Sequence, residues 1–318
     1  MPFFSVIIPL YNKEKFVENA VNSVLQQSFA DFEIIIVEDC STDKSREVVS
    51  KIQSNKIKIL HHQSNKGLSA VRNTGIKNSK ANYITFLDAD DVWKPNYLEK
   101  INALIHQFSE AKLFATNYEE LYPNHLILLP KNNSIHFESD TLIPNFFQIS
   151  LAQPLYCSCS LCVEKSVFEK VGYYDEKITF GEDVDFNIRA NSEYKLAYSK
   201  EALVTYTMFS ENQITNTSIR NKVIPDFDAY EKLANENSSL KKYLDFNRYV
   251  FARHYKMGND SSNFLKMKEG INPKNLNLKQ RILLNSPVYL LKVINKIKRF
   301  FIKKSIQIAT YDSHSHRK

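Results

Sequence analysis

The sequence predicts an α/β protein, a mostly parallel sheet with helices on both faces, continued by a helical extension. Three observations point there. Short β-rich apolar runs alternate with stretches of helical periodicity through the first part of the chain. The second and fourth of these runs end abruptly in carboxylates, as strands do when they deliver acids to a sheet edge. Finally, Ile219 to Lys318 carries 21 Lys and Arg against 8 Asp and Glu, a net +13, inside a chain whose formal charge is +7.

Taken in order, Ser5-Val-Ile-Ile-Pro-Leu10 reads as the first strand. Tyr11 and Asn12 lead into a helix with Phe16, Val17, Ala20, Val21, Val24 and Leu25 at helical spacing, and Asn12 is its expected N-cap. Phe32 to Val37 is a second buried strand closed by Glu38 and Asp39; Ser41-Thr42-Asp43 then supplies cap chemistry for a helix carrying Val48, Val49 and Ile52. Ile57 to Leu60 is a third strand, followed by a turn at Asn65-Lys-Gly67 and a helix that bears Arg72. Tyr83-Ile-Thr-Phe-Leu-Asp-Ala-Asp-Asp-Val-Trp93 is the fourth, with Asp88, Asp90 and Asp91 at its end. Ligands of such sheets lie beyond the carboxyl ends of the strands, so Asp39, Arg72, Asp88 and Asp90 are expected to converge on one edge.

Further on, Lys94-Pro95 opens a helix burying Tyr97, Leu98, Ile101, Ile105 and Phe108. Leu113 to Tyr118, Leu126 to Leu129 and Ser160 to Val163 read as strands, and Ser166 is the expected cap of a short helix closed by Gly172. Phe137 to Ala152 mixes polar and apolar residues without a period. Helical patterns recur from Pro225 to Asn235 and from Leu240 to Met257.

Two clusters carry chemistry. Asp88, Asp90 and Asp91 repel one another unless a cation or a set of donors lies between them. Oxygen ligands of this kind favour Mg²⁺ or Mn²⁺, with positions left open for water and phosphate oxygens. The plain alternative is a solvated turn in which Asp91 caps the next helix. In Gly181-Glu-Asp-Val-Asp-Phe186, Glu182 and Asp183 stand at a helix start, where the dipole and free N–H groups favour an ionised carboxylate that can serve as a general base. Its plain alternative is a capping acid.

Composition narrows the class. A hydrophobic share of 43% suits an ordinary folded core, and no run reaches the 18 or so apolar residues of a membrane-spanning helix. No charged leader precedes Phe3, so the mature chain is expected to begin at its first residue. Cys157, Cys159 and Cys162 lack the second pair of a structural zinc site and are expected to be reduced, partly buried thiols. Only 6 glycines occur, with no phosphate-cradling loop near Leu10, which disfavours a nucleotidyltransferase. An aspartate-nucleophile phosphotransferase wants Ser or Thr soon after its acid pair, where this chain has Val92-Trp93. A catalytically inactive binding module would have lost Asp90 or Asp183, and both are present. No nucleic-acid reader motif accompanies the basic charge.

Together these motifs resemble family 2 glycosyltransferases, inverting enzymes of the GT-A fold that use nucleotide sugars. The likeness rests on Ser5-Val-Ile-Ile-Pro-Leu-Tyr-Asn12, Ile36-Val-Glu-Asp-Cys-Ser-Thr-Asp43, Gly67-Leu-Ser-Ala-Val-Arg-Asn-Thr-Gly75, Phe86-Leu-Asp-Ala-Asp-Asp91 and Gly181-Glu-Asp-Val-Asp-Phe186, in that order. It implies that Asp39 accepts a hydrogen bond from the nucleotide base, that Arg72 helps hold the nucleotide, and that the backbone near Pro9 and Tyr11 lines its pocket. Asp90 would bind Mn²⁺ or Mg²⁺ directly, with Asp88 nearer the ribose and sharing the metal site, and Asp183 would deprotonate the acceptor hydroxyl. Many relatives carry a His where this chain has Phe209, which leaves the third metal ligand open; Ser210 to Thr217 is expected to be a mobile loop over the site.

The resemblance further implies a UDP-sugar donor and a glycan or lipid-linked glycan acceptor in cell-surface polysaccharide synthesis. Residues 1–218 are the expected catalytic domain and 219–318 the basic helical extension. Ser286-Pro287 has the look of an N-cap and first residue of a last helix, with Leu290, Ile294, Ile297 and Phe301 on one side, flanked by Val288 and Leu291. Lys292, Lys296, Arg299 and Lys303 lie largely opposite, the pattern either of a helix docked on the catalytic domain with a solvated basic face or of one resting on an anionic membrane. The expected location is cytoplasmic, peripheral on the inner face of the plasma membrane.

Overall fold

The periodicities resolve into alternating strands and helices in the computed structural model, which describes residues 1–130, 137–151 and 153–303. The first part runs β1 (Phe4–Leu10), α1 (Val17–Leu25), β2 (Phe32–Glu38), α2 (Ser45–Lys51), β3 (Ile57–His61), α3 (Leu68–Asn78), β4 (Tyr83–Phe86), β5 (Val92–Trp93) and α4 (Tyr97–Gln107). It continues through β6 (Ala111–Leu121), β7 (Ile127–Leu128), β8 (Thr141–Leu142), α5 (Phe146–Ile149), β9 (Leu161–Glu164), α6 (Lys165–Val171), α7 (Glu182–Glu193) and β10 (Lys195–Thr207). The last part is helical: α8 (Glu231–Glu236), α9 (Ser238–Met257), α10 (Ser261–Glu269), α11 (Leu278–Asn285) and α12 (Val288–Lys303).

One sheet holds the strands in the order β3-β2-β1-β4-β9-β6-β10-β5. The four at the β3 end are parallel, β9 is antiparallel to both β4 and β6, and β10 returns parallel to β6. The result is the expected α/β sheet flanked by helices, parallel at the β3 end and mixed beyond β4. Alternation along β1 divides its side chains between two cores. Phe4, Val6, Ile8 and Leu10 pack with Val17, Val21 and Val24 of α1 and with Leu98, Ile101 and Leu104 of α4. Ile7 faces the other way and joins Ile84, Phe86, Phe168 and Phe186, a core that also takes in Leu240, Leu244, Phe251 and Tyr255 of α9. The basic extension is thus packed into the sheet's second face.

Several local expectations change. Asn12 does not cap α1: it adopts φ 52°, and the helix begins after Phe16. Ser166 lies inside α6, whose N-cap is Glu164. Asp91 caps no helix, because β5 follows it and pairs with β10. Ser286 serves the helix before it, its hydroxyl donating to Ile282 O at 2.7 Å, and the last helix starts at Val288. Ala152 lies outside the described residues.

The position of α3 matters most for the site, because it carries Arg72. A Cβ on Gly75 would come within 2.4 Å of Ile7 Cγ2, so only glycine lets the helix lie this close to β1. Gly75→Ala should therefore destabilise the fold by about 1–3 kcal/mol, the usual scale of overpacking, seen as a lower urea midpoint at unchanged m-value. An unchanged midpoint would show that α3 can retreat freely.

Candidate active site

The site forms where three strand ends meet one helix start. The loops after β1 and β2 are tied together: Asn12 Oδ1 accepts from Thr42 N–H at 2.8 Å, and Ser41 Oγ accepts from Asn12 N–H at 3.2 Å. Pro9 is buried within β1, and Tyr11 stands exposed at the rim. Asp39 follows β2 and is buried. Its Oδ1 accepts from Lys66 N–H at 2.9 Å and bonds His62 Nδ1 at 2.6 Å, while Oδ2 accepts from Gly67 N–H at 2.9 Å. The carboxylate thus shapes the Asn65-to-Gly67 turn, and a nucleotide base would have to share or displace one of these bonds.

Beyond β4 the three acids separate. Asp91 points inward, with Oδ1 accepting from Thr207 N–H at 2.8 Å and Oδ2 from the Cys159 thiol at 2.9 Å. Burial, then the charges of Asp90 and Asp88, push its carboxyl well above the usual range. Asp91 therefore pins β10 and the turn at Ser158–Ser160 to this loop, a structural part that the spacing did not disclose. All four cysteines are free thiols, and burial pushes Cys159 well up. Asp90 places Oδ2 against Lys13 Nζ at 2.7 Å and against the Ser210 hydroxyl. Asp88 is the most open, its side chain 27% exposed.

Counter-charge comes from α3. Arg72 is 2% exposed; Nη1 donates to Glu182 Oε1 at 2.8 Å, Nη2 reaches Asp88 Oδ1 at 3.4 Å, and Nε is buried without a partner. Burial works against the guanidinium's charge, yet Asp88, Tyr174, Glu182 and Asp183 raise its pKa above the ordinary value. The expected convergence is present: the ends of β1, β2 and β4 and the side chain of Arg72 share one edge.

Helix α7 starts after Gly181, at φ 81°. A Cβ there would lie 2.7 Å from Phe251 Cζ of α9, so the first turn is set against the extension. Glu182 turns in to Arg72; Asp183 is half-buried, and among the described residues no side chain hydrogen-bonds to it. Burial pushes its carboxyl up, outweighing the pull of Arg72 and of Val184 N–H. This reverses the direction expected from the helix start alone, because desolvation exceeds what the dipole returns. A base raised toward working pH is the better proton acceptor.

Asp88 and Asp90 each keep one carboxylate oxygen open to a hard divalent ion. Asp88 Oδ2 and Asp90 Oδ1 have no hydrogen bond from the protein among the described residues, and both are carboxylate oxygens. Asp88, Asp91 and Cys159 also offer atoms within 4.8 Å of one another, but Asp91's oxygens are engaged and the thiol is a soft ligand. Phe209 adopts φ 61° and turns the chain so that Ser210, the next residue, meets Asp90. The segment after it does lie over the site, with Glu211 carbonyl O accepting from Lys13 Nζ at 2.6 Å. Lys13 and Ser210 escaped the sequence reading because nothing in local spacing links them to Asp90.

The sequence model of the family described as Glycosyl transferase family 2 matches residues 5–163. An uncharacterized glycosyltransferase of Rickettsia prowazekii is 29% identical over 220 residues, spanning 69% of this chain and 67% of its own. TuaG of Bacillus subtilis, a glycosyltransferase named for teichuronic acid biosynthesis, is 40% identical over 101 residues, 31% of this chain and 40% of its own. Among solved structures, S. aureus TarS 1-349 in complex with UDP-GlcNAc superposes with a TM-score of 0.69 at 19% identity, covering 96% of this chain and 92% of that one. That likeness concerns the fold. From the family match over strands, carboxylate loop and Arg72, the chain belongs to glycosyl transferase family 2 and is a glycosyltransferase.

Proposed function

We propose that this enzyme moves a sugar, with inversion, from a nucleotide-diphospho-sugar to a hydroxyl of a glycan or lipid-linked glycan in cell-surface polysaccharide synthesis. The observation that carries the proposal is Arg72, which joins the open carboxylate Asp88 to the helix start bearing Asp183. Phosphate-facing and proton-accepting groups are thereby held in one charge network. A UDP-sugar is the donor favoured by the bound UDP-GlcNAc and UDP of the TarS structures, and TuaG's name favours a polysaccharide product. The catalytic unit on this reading is residues 1–218, with 219–318 packed on it.

The donor lies across the ends of β1 and β4, its base toward Asp39 and the backbone of Pro9 and Tyr11, its diphosphate toward Asp88 and Asp90. Asp88 and Asp90 would hold Mn²⁺ or Mg²⁺, which would supply Lewis-acid stabilisation of the charge on the leaving diphosphate. Arg72 keeps Asp88 in place rather than reaching solvent itself. Asp183 takes the proton of the acceptor hydroxyl while that oxygen attacks the anomeric carbon opposite the leaving group; no covalent sugar intermediate forms.

No helix among the described residues is long and apolar enough to cross a membrane. Helix α12 docks on α9 through Leu291, which is fully buried, while Tyr289, Leu290, Val293 and Ile297 form an exposed stripe. This differs from the face expected, since Leu291 packs and Val293 does not; the side chains of Arg299, Phe301 and Lys303 lie outside the described residues. With Lys292 and Lys296 exposed beside the stripe, we propose that it rests on an anionic membrane at the cytoplasmic face, each basic residue contributing about 1 kcal/mol.

Asp183→Asn should leave donor affinity nearly intact and lower turnover at least about 10²-fold. Wild-type kcat should fall on the acid side with an apparent pKa above the roughly 3.9 of a free aspartate, because the base works only deprotonated and burial raises it. Near-normal turnover in the mutant, or an acid limb at the free value, would move the base to Glu182 or Asp185. Asp90→Ala should abolish the metal-dependent part of thermal stabilisation by nucleotide sugar; retention of that increment would remove Asp90 from the metal site. For the membrane, flotation should recover the chain on anionic vesicles at low salt, less on neutral ones, and not after truncation before Ser286. Equal recovery on both vesicle types, or none, would leave α12 as packing alone.

A further inference from the structure

The carboxylate loop already carries a cation of the chain's own. Lys13, in the turn between β1 and α1, directs its ammonium inward, with its side chain 10% exposed and that of Asp90 9%. Its Nζ donates to Asp90 Oδ2 at 2.7 Å, Ser210 Oγ at 3.1 Å and Glu211 O at 2.6 Å. Three acceptors take up the three N–H groups of an ammonium, which has no acceptor capacity of its own. A carboxylate, a hydroxyl and a carbonyl are also the oxygen types that a hard metal ion gathers.

The backbone of Lys13 is held too. Its N–H donates to Ser45 Oγ at 2.7 Å, and its carbonyl accepts from Phe16 N–H and Val17 N–H, both at 3.0 Å. The side chain is therefore anchored at a turn fixed by α1 and α2. A strap for the segment after β10 would be the ordinary explanation of such a lysine. Lys15 already provides one at the surface, pairing with Glu211 Oε1 at 2.8 Å, and a strap has no need of Asp90.

Resting on the donor reading above, we propose that Lys13 is a resident cation of the diphosphate site. It neutralises one oxygen of Asp90, keeps that contact when the donor arrives, and exchanges Ser210 or the Glu211 carbonyl for a phosphate oxygen. A divalent ion at Asp88 and the other oxygen of Asp90 would then add to a site whose negative charge Lys13 has already lowered. Donor binding consequently survives removal of divalent metal, and the absence of a histidine at Phe209 is tolerated.

Calorimetric titration of UDP, with GDP and TDP in parallel, tests this in Mn²⁺ and in EDTA. Wild type should keep measurable affinity in EDTA for the diphosphate it prefers. Lys13→Met should lose about 10- to 100-fold in EDTA, the scale of one charge-assisted hydrogen bond, and less in Mn²⁺. Lys13→Arg should recover most of the loss. Lys15→Met, which loosens the segment at the surface but keeps the Lys13 ammonium, should stay within about threefold of wild type in EDTA. Equal EDTA affinities for wild type and Lys13→Met, complete loss of wild-type binding in EDTA, or a Lys15→Met defect as large as that of Lys13→Met would overturn the assignment. Failure of wild type to bind any of the three diphosphates with Mn²⁺ present would overturn the donor reading itself, and this inference with it. Melting curves of each variant in Mn²⁺ show whether a loss is one of folding.

Discussion

A single buried guanidinium governs the geometry of this enzyme. Arg72 is shut away from water between acids from two distant segments, Asp88 after β4 and Glu182 at the start of α7. Taking a cation out of water costs several kcal/mol unless close opposite charges offset it, so the three groups hold one another in place. Gly75, one turn further along α3, lets the helix lie against β1, and Asn73 on the same helix donates to Tyr174 O at 2.9 Å. The adjacent acids Glu182 and Asp183 consequently differ: the first is committed to the arginine, and among the described residues no side chain hydrogen-bonds to the second.

The fold was legible because its signals are local. Apolar alternation gave β1 to β4, and carboxylates at strand ends marked the edge where the site lies. What spacing could not disclose were partnerships across the chain. Lys13 precedes an amphipathic helix and reads as an ordinary surface lysine, yet it meets Asp90, 77 residues later. Asp91 reads as the third acid of a metal cluster, but Cys159 and Thr207 draw it inside. Asn12 has the side chain of an N-cap and uses it instead on the neighbouring loop at Thr42. In each case a tertiary contact overrode a sound local preference. Asp183 shows the same for electrostatics, since the sequence displays the helix start but not the depth of burial that opposes it.

The extension repeats the pattern of buried charge. Arg248 of α9 is 1% exposed and is paired with Asp228 at 2.7 Å and Glu231 at 2.5 Å. These bonds fix α8 and the turn before it to α9, which on the same face supplies Phe251 and Tyr255 to the core under β4. A segment with an excess of positive charge is in this way seated by apolar contacts, while most of its lysines remain in water.

Phe251 also closes the space beside Gly181, at the first turn of the helix that bears Asp183. The first turn of the helix that bears Asp183 is therefore backed by a residue 70 positions beyond Gly181. Someone shortening the protein to residues 1–218 would keep every acid of the site and lose the wall beside Gly181. Residues 5–163 suffice for the family's sequence model, yet the helix start after Gly181 rests on the extension, so exchanging C-terminal segments between relatives changes the packing beside the candidate site.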